Sequence, residues 1–288
     1  MHLHTAQRKN AKIRMGLQGP SGSGKTMSAL LIAYGLTNDW TKIAVIDTEN
    51  RSSELYAHMG NFLVLHLNAP FSPERYTQAI QICEGSGIEV IIIDSTSHEW
   101  NGQGGILEVH GNMVGNSFTN WSKLTPRHNS FINTILQSSS HIICTIRSKT
   151  EYVLSEKNGK QVPEKIGLMG IQREGLDFEL TLVLEIDIKH HATATKDRTG
   201  LFMGKPEFTI TAETGTEILN WCSSGISSEA VQEMIQRSGD MKTLREVFNS
   251  HPEFQLLLNH EFQAKKQELE KPKPNGNTFK TKENGISK

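Results

Sequence analysis

Short apolar runs alternate with segments of helical pattern along the first half of the chain. The runs cover residues 13–17, 42–47, 89–94 and 141–146. They are nearly continuous and rich in β-branched residues, which is typical of parallel strands buried on both faces. Helices are predicted between them, at residues 27–36, 73–83 and 126–138. The alternation predicts an α/β fold with a mostly parallel, doubly wound sheet.

The pattern changes after residue 147. Two extended segments, 178–187 and 192–202, follow each other with only residues 188–191 between them. Because no helical segment separates them, we expect an antiparallel extension of the sheet.

A third pattern begins near residue 227, where apolar residues recur at helical spacing. This spacing predicts two or three short helices. Residues 271–288 contain almost nothing apolar and carry several lysines, so a disordered basic tail is expected there. The predicted domains are a core over residues 1–225, a small helical region over 226–270 and the tail.

Composition narrows the class of protein. The 288 residues are 36% hydrophobic and 21% charged, with a formal net charge of −1, so any nucleic-acid contact must come from local basic segments. Cys83, Cys144 and Cys222 form no CxxC pair, which argues against a disulfide framework or a zinc site. No apolar stretch approaches the length of a membrane span, and the polar start does not resemble a signal peptide. We therefore expect a cytoplasmic protein without a membrane partner.

A complete phosphate-binding loop follows the first apolar run. It comprises Gly19, Pro20, Ser21, Gly22, Ser23, Gly24, Lys25 and Thr26, which match G-x-x-x-x-G-K-[ST] without a mismatch. The glycines let backbone N–H groups face phosphate oxygens at a helix N-terminus. Lys25 is expected to reach the β- and γ-phosphates of ATP, and Thr26 to ligate Mg²⁺. A merely glycine-rich turn is the alternative.

Two acids end apolar strands in positions that suit triphosphate chemistry. Asp94 closes the run Val90–Ile93 and is expected to order Mg²⁺; an aspartate capping the next helix is the alternative. Glu49 follows the neighbouring strand in Asp47-Thr48-Glu49. A carboxylate there can face the γ-phosphate and take a proton from the attacking water.

At this point the chain resembles the RecA-type recombinase ATPases over roughly residues 11–215. The resemblance makes Glu49 the general base and places Tyr56 as the aromatic residue that stacks on adenine, although Tyr56 packed on a helix face is an equal alternative. Thr145 stands where the family carries its γ-phosphate sensor, which is usually an amide side chain. Lys196 and Arg198 stand where the family carries a basic pair that reaches a neighbouring subunit's γ-phosphate; a solvated strand face is the alternative.

The run from Asp94 to Trp100, followed by Gly102, Gly104 and Gly105, is similar to the minimal RecA-like ATPases of bacteriophages. That resemblance implies a homo-oligomeric ATPase, with ATP between subunits, acting on single-stranded DNA in recombination or annealing. A helicase or helicase-loader ATPase is the first alternative. The second is a nucleotide-gated interaction module whose C-terminal helices bind a replication or recombination partner.

Two segments are candidates for contact with single-stranded DNA. Residues 100–105 combine Trp100 with a glycine-rich backbone expected to be flexible. Residues 148–173 contain five basic residues and Tyr152, with Asn158-Gly159 as a predicted hairpin turn. A plain surface hairpin is the alternative. His190 and His191 are expected to be ordinary surface histidines, because no cysteine or acid is recognised at ligand spacing.

Overall fold

The computed structural model describes the backbone of residues 11–157, 160–223, 228–251 and 254–270, and their side chains except those of residues 150–168. These residues form two compact units, one ending at residue 223 and the other beginning at residue 228. The tail predicted at residues 271–288 and the predicted turn at Asn158-Gly159 lie outside the described residues.

A nine-stranded sheet forms the centre of the first unit. Its strands are β1 (Arg14–Gly19), β2 (Ile43–Asp47), β3 (Leu63–His66), β4 (Val90–Asp94), β5 (His141–Lys157), β6 (Lys160–Gly170), β7 (Leu182–Ile186), β8 (His191–Asp197) and β9 (Phe208–Thr209). The order is β3-β2-β4-β5-β1-β7-β8-β9, with β6 paired to β5. Pairing is parallel from β3 to β7 and antiparallel in β7-β8-β9 and β5-β6. The predicted parallel sheet with an antiparallel extension is confirmed.

Helices of the first unit cover both faces of this sheet. The described α-helices are α1 (Lys25–Thr37), α2 (Pro73–Gly85), α3 (Ser97–Asn101), α4 (Ile106–Asn112), α5 (Ser117–Gln137), α6 (Leu176–Glu179), α7 (Ala212–Ser223), α8 (Ser228–Arg237), α9 (Met241–Ser250) and α10 (Asn259–Glu270). Helices α1 and α7 lie on one face of the sheet, and α2 and α5 lie on the other. Short 3-10 helices span Trp40–Lys42 and Ser52–Met59. Within the described part of the chain, no helix combines the length and the apolar character that crossing a membrane requires.

The continuous apolar strands are explained by burial on both faces. In β4, Val90 and Ile92 belong to the core shared with α1, whereas Ile91 and Ile93 belong to the core on the side of α2 and α5. Successive side chains of a strand point to opposite faces, so a strand between two helical layers needs apolar residues at every position.

The phosphate-binding loop lies at the carboxyl edge of the sheet because it directly follows β1, whose neighbours β5 and β7 run parallel to it. Gly24 has φ 86° and precedes α1 directly. That left-handed conformation is readily adopted by glycine and lets the chain turn from the strand into the helix. Helix α1 ends at Thr37, where Asn38 is also left-handed and donates its N–H to the Tyr34 carbonyl.

Three predicted elements differ from the structure. Helix α5 begins after Asn116, whose side chain accepts the N–H groups of Phe118 and Thr119, so Pro126 lies inside the helix instead of at its start. Phe178 belongs to the short helix α6 and not to a strand. Strand β8 ends at Asp197 because that carboxylate accepts four backbone N–H groups from residues 199–203, which bends the chain.

The second unit consists of α8, α9 and α10. Its core contains Val231, Ile235, Leu244, Leu258 and Phe262. On α8 and α9, apolar residues three and four positions apart face this core, as the sequence predicts: Val231 and Ile235 on α8, and Leu244, Val247 and Phe248 on α9. Helix α10 contributes Phe262 and Leu269. The expectation of short C-terminal helices is confirmed.

Candidate nucleotide-binding site

A cavity of about 570 Å³ opens at the carboxyl edge of the sheet, above the phosphate-binding loop. Its lining includes eight residues that the sequence singles out, namely Ser21, Gly22, Gly24, Lys25, Thr26, Glu49, Tyr56 and Asp94. Met27, Ser28, Leu31, Ser52, Arg147, His190, Thr209 and Ile210 complete it. The fold therefore brings together, around one space, the segments that follow β1 and β2, the first turns of α1, the end of β4 and Arg147 of β5.

Lys25 closes the loop from the helix side. Its ammonium donates to the carbonyl oxygens of Gly19 (2.9 Å) and Pro20 (2.8 Å). Burial lowers the pKa of Lys25, while the nearby Asp94 and Glu49 carboxylates act in the opposite direction. The cation is thus held at the phosphate-binding loop by neutral acceptors that a phosphate can replace.

Asp94 joins the loop to the centre of the sheet. Its carboxylate accepts the Thr26 hydroxyl at 2.6 Å and the Thr145 hydroxyl at 2.5 Å. Burial raises the pKa of Asp94, and the two hydroxyl hydrogen bonds oppose that shift. Thr145 is fully buried and is absent from the cavity lining. The structure therefore places Thr145 where it positions Asp94, and not where the resemblance expects a γ-phosphate contact.

Glu49 lies at the end of β2, where the Asp47 carboxylate shapes the turn. Asp47 accepts the Glu49 N–H at 2.7 Å and both the N–H and hydroxyl of Ser53. The Glu49 carboxylate accepts the Ser95 hydroxyl at 2.9 Å and is paired with Arg147 through two contacts. A buried aspartate and two neighbouring strands thus fix where this acid points.

Sequence reasoning missed Arg147 as a residue of the cavity. Its Nε donates to Glu49 Oε1 at 2.8 Å, and its Nη2 contacts Glu49 Oε2. A basic residue directly after the predicted 141–146 strand is a signal for the site, but the sequence alone favours a DNA-contacting segment at that point. The strand register, which pairs Arg147 with Gly19, brings it to the phosphate-binding loop.

The turn between β7 and β8 also contacts the loop. His190 is exposed, as expected, but its Nδ1 lies 2.9 Å from the Ser23 carbonyl oxygen and its ring lines the cavity. His191 lies 4.0 Å from Asp187 and 3.3 Å from Glu207. The expectation that no acid accompanies these histidines was therefore wrong, since the tight turn brings Asp187 back to His191.

The remaining predicted residues occupy different places. Tyr56 lines the cavity beside the loop, as a base-stacking residue requires. Lys196 and Arg198 lie at the end of β8, and both side chains donate to the Phe178 carbonyl in α6. Neither belongs to the lining of the cavity. Their shared direction agrees with the strand spacing, and the role in a neighbouring subunit stays a prediction.

The first candidate DNA segment is packed and not flexible. Trp100 lies on α3 and stacks on Trp121, with 5.8 Å between ring centroids. A Cβ atom at Gly104 would come within 2.4 Å of Pro70, and one at Gly105 within 2.7 Å of the Glu99 carbonyl. These glycines permit close packing, so the expectation of a flexible loop at residues 100–105 was wrong.

The second candidate segment forms an antiparallel hairpin. Pairs run from Ser148 with Gly170 to Lys157 with Lys160, with an irregularity at Glu151/Tyr152. At its base, Lys149 is exposed, and the Arg173 guanidinium lies 5.7 Å from the Trp121 ring centroid. The side chains of Tyr152, Lys157, Lys160 and Lys165 are outside the described part of the molecule.

A phosphate-binding loop at the carboxyl edge of a parallel sheet, with Thr26, Asp94 and Glu49 in one cavity, defines a P-loop nucleotide-binding protein. A protein-family model described as "AAA domain" matches residues 11–212, which is most of the chain. The chain belongs to this family and contains an AAA-type P-loop ATPase domain. A search of curated proteins found no match.

Proposed function

We propose that this protein is a RecA-like ATPase that hydrolyses ATP and acts on single-stranded DNA in phage recombination or annealing. The observation that carries the proposal is a continuous connection through β5. Arg147 on this strand pairs with Glu49 in the nucleotide cavity, and the same strand continues into the hairpin with β6. A ligand bound to the hairpin would therefore act on β5, the strand whose Arg147 is paired with the proposed catalytic acid Glu49.

The residues present fit Mg²⁺ and a triphosphate. Mg²⁺ prefers hard oxygen ligands and is usually held by one or two protein groups together with phosphates and water. The Thr26 hydroxyl and the Asp94 carboxylate are such ligands, and they already lie 2.6 Å apart. These two residues would hold the metal. When bound, the metal would neutralise part of the negative charge of the triphosphate.

Hydrolysis requires a group that takes one proton from water. Water attacks the γ-phosphorus, the bond to the bridging oxygen of ADP breaks, and Glu49 accepts the proton. Lys25 binds the phosphates, and the backbone N–H groups of the loop surround them. Asp94, positioned by Thr145, orders the metal ligand Thr26. Lys196 and Arg198 would stabilise the transition state from an adjacent subunit.

The hairpin suits a single strand of DNA by composition. Residues 148–173 carry Lys149, Lys157, Lys160, Lys165 and Arg173 together with Tyr152. Basic residues neutralise the DNA backbone, and an aromatic residue stacks on bases without sequence preference. The segment also contains three glutamates. We therefore expect salt-sensitive binding of modest strength.

Single-stranded DNA should stimulate ATP hydrolysis at low salt, and the stimulation should disappear at high salt because phosphate contacts release counterions. The measurement is steady-state phosphate release with and without DNA, with Lys25→Ala as the inactive blank. Turnover that does not respond to DNA would contradict the DNA role and favour an interaction module.

A pair of double variants identifies the DNA-contacting segment. Lys157→Ala/Lys160→Ala should lose the stimulation and retain basal turnover. Lys242→Ala/Lys266→Ala removes the same charge from the second unit and serves as the matched control. Equal loss in both variants would show that the net charge matters and not the hairpin.

An interaction module is the second candidate because the second unit exposes two adjacent leucines. Leu256 is 92% exposed and Leu257 is 66% exposed. Capture of a replication protein that is lost in Leu256→Ser/Leu257→Ser, together with turnover indifferent to DNA, would favour this candidate. Directional strand separation would favour a helicase, whereas annealing without ATP would favour the recombination role.

A further inference from the structure

Arg147 stands at the junction between the nucleotide cavity and the hairpin. It is the last residue of β5 that pairs with β1, where it lies opposite Gly19. The next residue, Ser148, begins the pairing with β6. The Arg147 N–H donates to the Ser97 hydroxyl at 2.9 Å, and its carbonyl accepts the Ile171 N–H at 2.6 Å. Its backbone is therefore fixed while its side chain reaches the cavity.

The guanidinium of Arg147 engages both oxygens of Glu49. The Nε–Oε1 distance is 2.8 Å, Nη2 contacts Oε2, and Oε1 also accepts the Ser95 hydroxyl at 2.9 Å. The Arg147 side chain is 43% exposed and that of Glu49 17%. The cation is thus accessible from the cavity, whereas the carboxylate is largely covered by its donors.

A carboxylate in this state is poorly placed to act as a base. Its lone pairs are directed at the guanidinium and a hydroxyl, so water must compete with a bidentate charged pair for them. Glu49 becomes available only when Arg147 has another anion to bind. A γ-phosphate carries more charge than a carboxylate and offers the same bidentate geometry to arginine.

The surrounding charges favour this exchange. Lys25 and Arg147 are close enough for Arg147 to contribute to the lowered pKa of Lys25, and Asp94 and Glu49 are the acids beside them. A bound triphosphate adds several negative charges to a cavity with these two cations. Lys25 and Arg147 then both bind phosphate oxygens, and Glu49 loses Arg147 as its partner.

We propose that Arg147 is a γ-phosphate-binding residue of its own subunit that holds Glu49 until a triphosphate is bound. Exchange of the guanidinium from Glu49 to the γ-phosphate releases the carboxylate to accept the proton of water. A diphosphate lacks the γ group and leaves the Arg147–Glu49 pair intact. This inference rests on the proposed ATPase function and specifies how the site distinguishes triphosphate from diphosphate.

Nucleotide affinity tests the contact without turnover or DNA. Arg147→Ala should bind a non-hydrolysable ATP analogue at least tenfold more weakly than wild type and bind ADP within about twofold of wild type, since only the γ-phosphate contact is lost. Arg127→Ala is the matched control, because Arg127 makes a comparable two-contact pair with Glu74 away from the cavity. An unchanged ratio of the two affinities in Arg147→Ala would overturn the proposal.

Single-turnover hydrolysis distinguishes binding of the γ-phosphate by Arg147 from a role in which Arg147 only restrains Glu49. With saturating ATP, Arg147→Ala should hydrolyse on the order of a thousandfold more slowly, in line with the contribution of an arginine at a transferring phosphoryl group. Guanidinium chloride at millimolar concentration should restore part of the rate, and ammonium chloride should not. Faster hydrolysis than wild type would mean that Arg147 only restrains Glu49, which overturns the proposal.

Two further observations separate this inference from the proposed function. Arg147→Lys keeps the charge without the fork geometry, so it should show an intermediate loss of ATP affinity even if Arg147→Ala does not fold. A wild-type protein that hydrolyses ATP without a response to DNA would contradict the DNA role and leave the Arg147 measurements decisive. A wild-type protein that does not distinguish ATP from ADP would overturn the inference itself.

Discussion

Arg14 illustrates, at the scale of single residues, how a charged side chain fits inside an apolar strand. Only 7% of its surface is exposed. Its guanidinium donates to the carbonyl oxygens of Leu136 and Ser140 and contacts that of Ser138, near the end of α5. Carbonyls at a helix end have no N–H partner in the helix, and arginine offers five donors in a fixed geometry. The β1 sequence alone does not predict this partner, because α5 ends more than a hundred residues later.

His141, at the start of β5, leads to a prediction of pH dependence. It accepts the Ile13 N–H at Nδ1 (3.1 Å), and burial, together with Lys12 and Arg14, lowers its pKa to about 3. The unfolded chain binds a proton near pH 6.5, so this residue costs stability as the pH falls from about 6.5 towards 3. At pH 4 the cost is about 3 kcal/mol, at about 1.4 kcal/mol per pKa unit.

Replacement by asparagine tests this assignment. His141→Asn keeps an acceptor for the Ile13 N–H and removes the titration, so its free energy of unfolding should fall less steeply from pH 7 to pH 4 than that of wild type. Urea unfolding followed by tryptophan fluorescence measures it, since all four tryptophans lie in the first unit. The exposed His58→Asn is the control. Parallel pH curves for wild type and His141→Asn would refute the assignment.

At the scale of elements, the strands were the most predictable part of the molecule. The central parallel strands β1, β2, β4 and β5 lie between two helical layers, so their sequences are apolar at consecutive positions and stand out. The sequence did not predict β3, a strand of four residues that lies at the end of the sheet and is only partly buried. Helix α5 was less predictable because Pro126 suggested a start. The Asn116 cap and the buried residues Leu124, His128, Phe131 and Ile135 instead keep one helix through the proline, although proline lacks a backbone donor and its ring crowds the preceding turn.

The packing of α1 against α7 makes an element-scale prediction. A Cβ atom at Gly35 would lie 2.0 Å from the Ala212 carbonyl oxygen and 2.8 Å from the Cα of Gly215. Alanine normally stabilises a helix relative to glycine by about 1 kcal/mol. Gly35→Ala should instead destabilise the first unit by about 1–3 kcal/mol, the usual cost of overpacking.

Chemical denaturation of the variant provides the check. Gly85→Ala, at the end of α2, is the matched control because a Cβ atom added there would have nothing within 4 Å. This control should be neutral or slightly stabilising. Since α1 begins with Lys25 and Thr26, Gly35→Ala should also weaken nucleotide binding. Equal stability of the two glycine variants would show that the contact between α1 and α7 has room for a methyl group at residue 35.

At the scale of the whole molecule, we predict that Lys196 and Arg198 act in the nucleotide site of a neighbouring subunit. Both are directed at α6 and lie outside the cavity lining of their own chain. If they complete a neighbour's site, Lys196→Ala/Arg198→Ala subunits should regain hydrolysis when mixed with Glu49→Gln subunits. The first supply an intact cavity, and the second supply an intact basic pair.

Phosphate release by the mixture measures this complementation. Each variant alone should be strongly impaired, since a general base and an arginine finger each contribute on the order of 10²-fold or more. Lys205→Ala, which removes an exposed cation that pairs with Glu217, should behave as wild type. A mixture no more active than the sum of its parts would remove the pair from the neighbouring site.

The sequence by itself determined the α/β class, the phosphate-binding loop and the acids Glu49 and Asp94. These features depend on residues close together in the chain: a strand, a glycine-rich turn and the start of a helix. The tertiary structure decided which side chains contact these residues. Arg147 meets Glu49 across 98 positions. Such contacts depend on strand order and register, which place β5 beside β1 and β4. The spacing of residues along the chain does not reveal which strands are neighbours in the sheet.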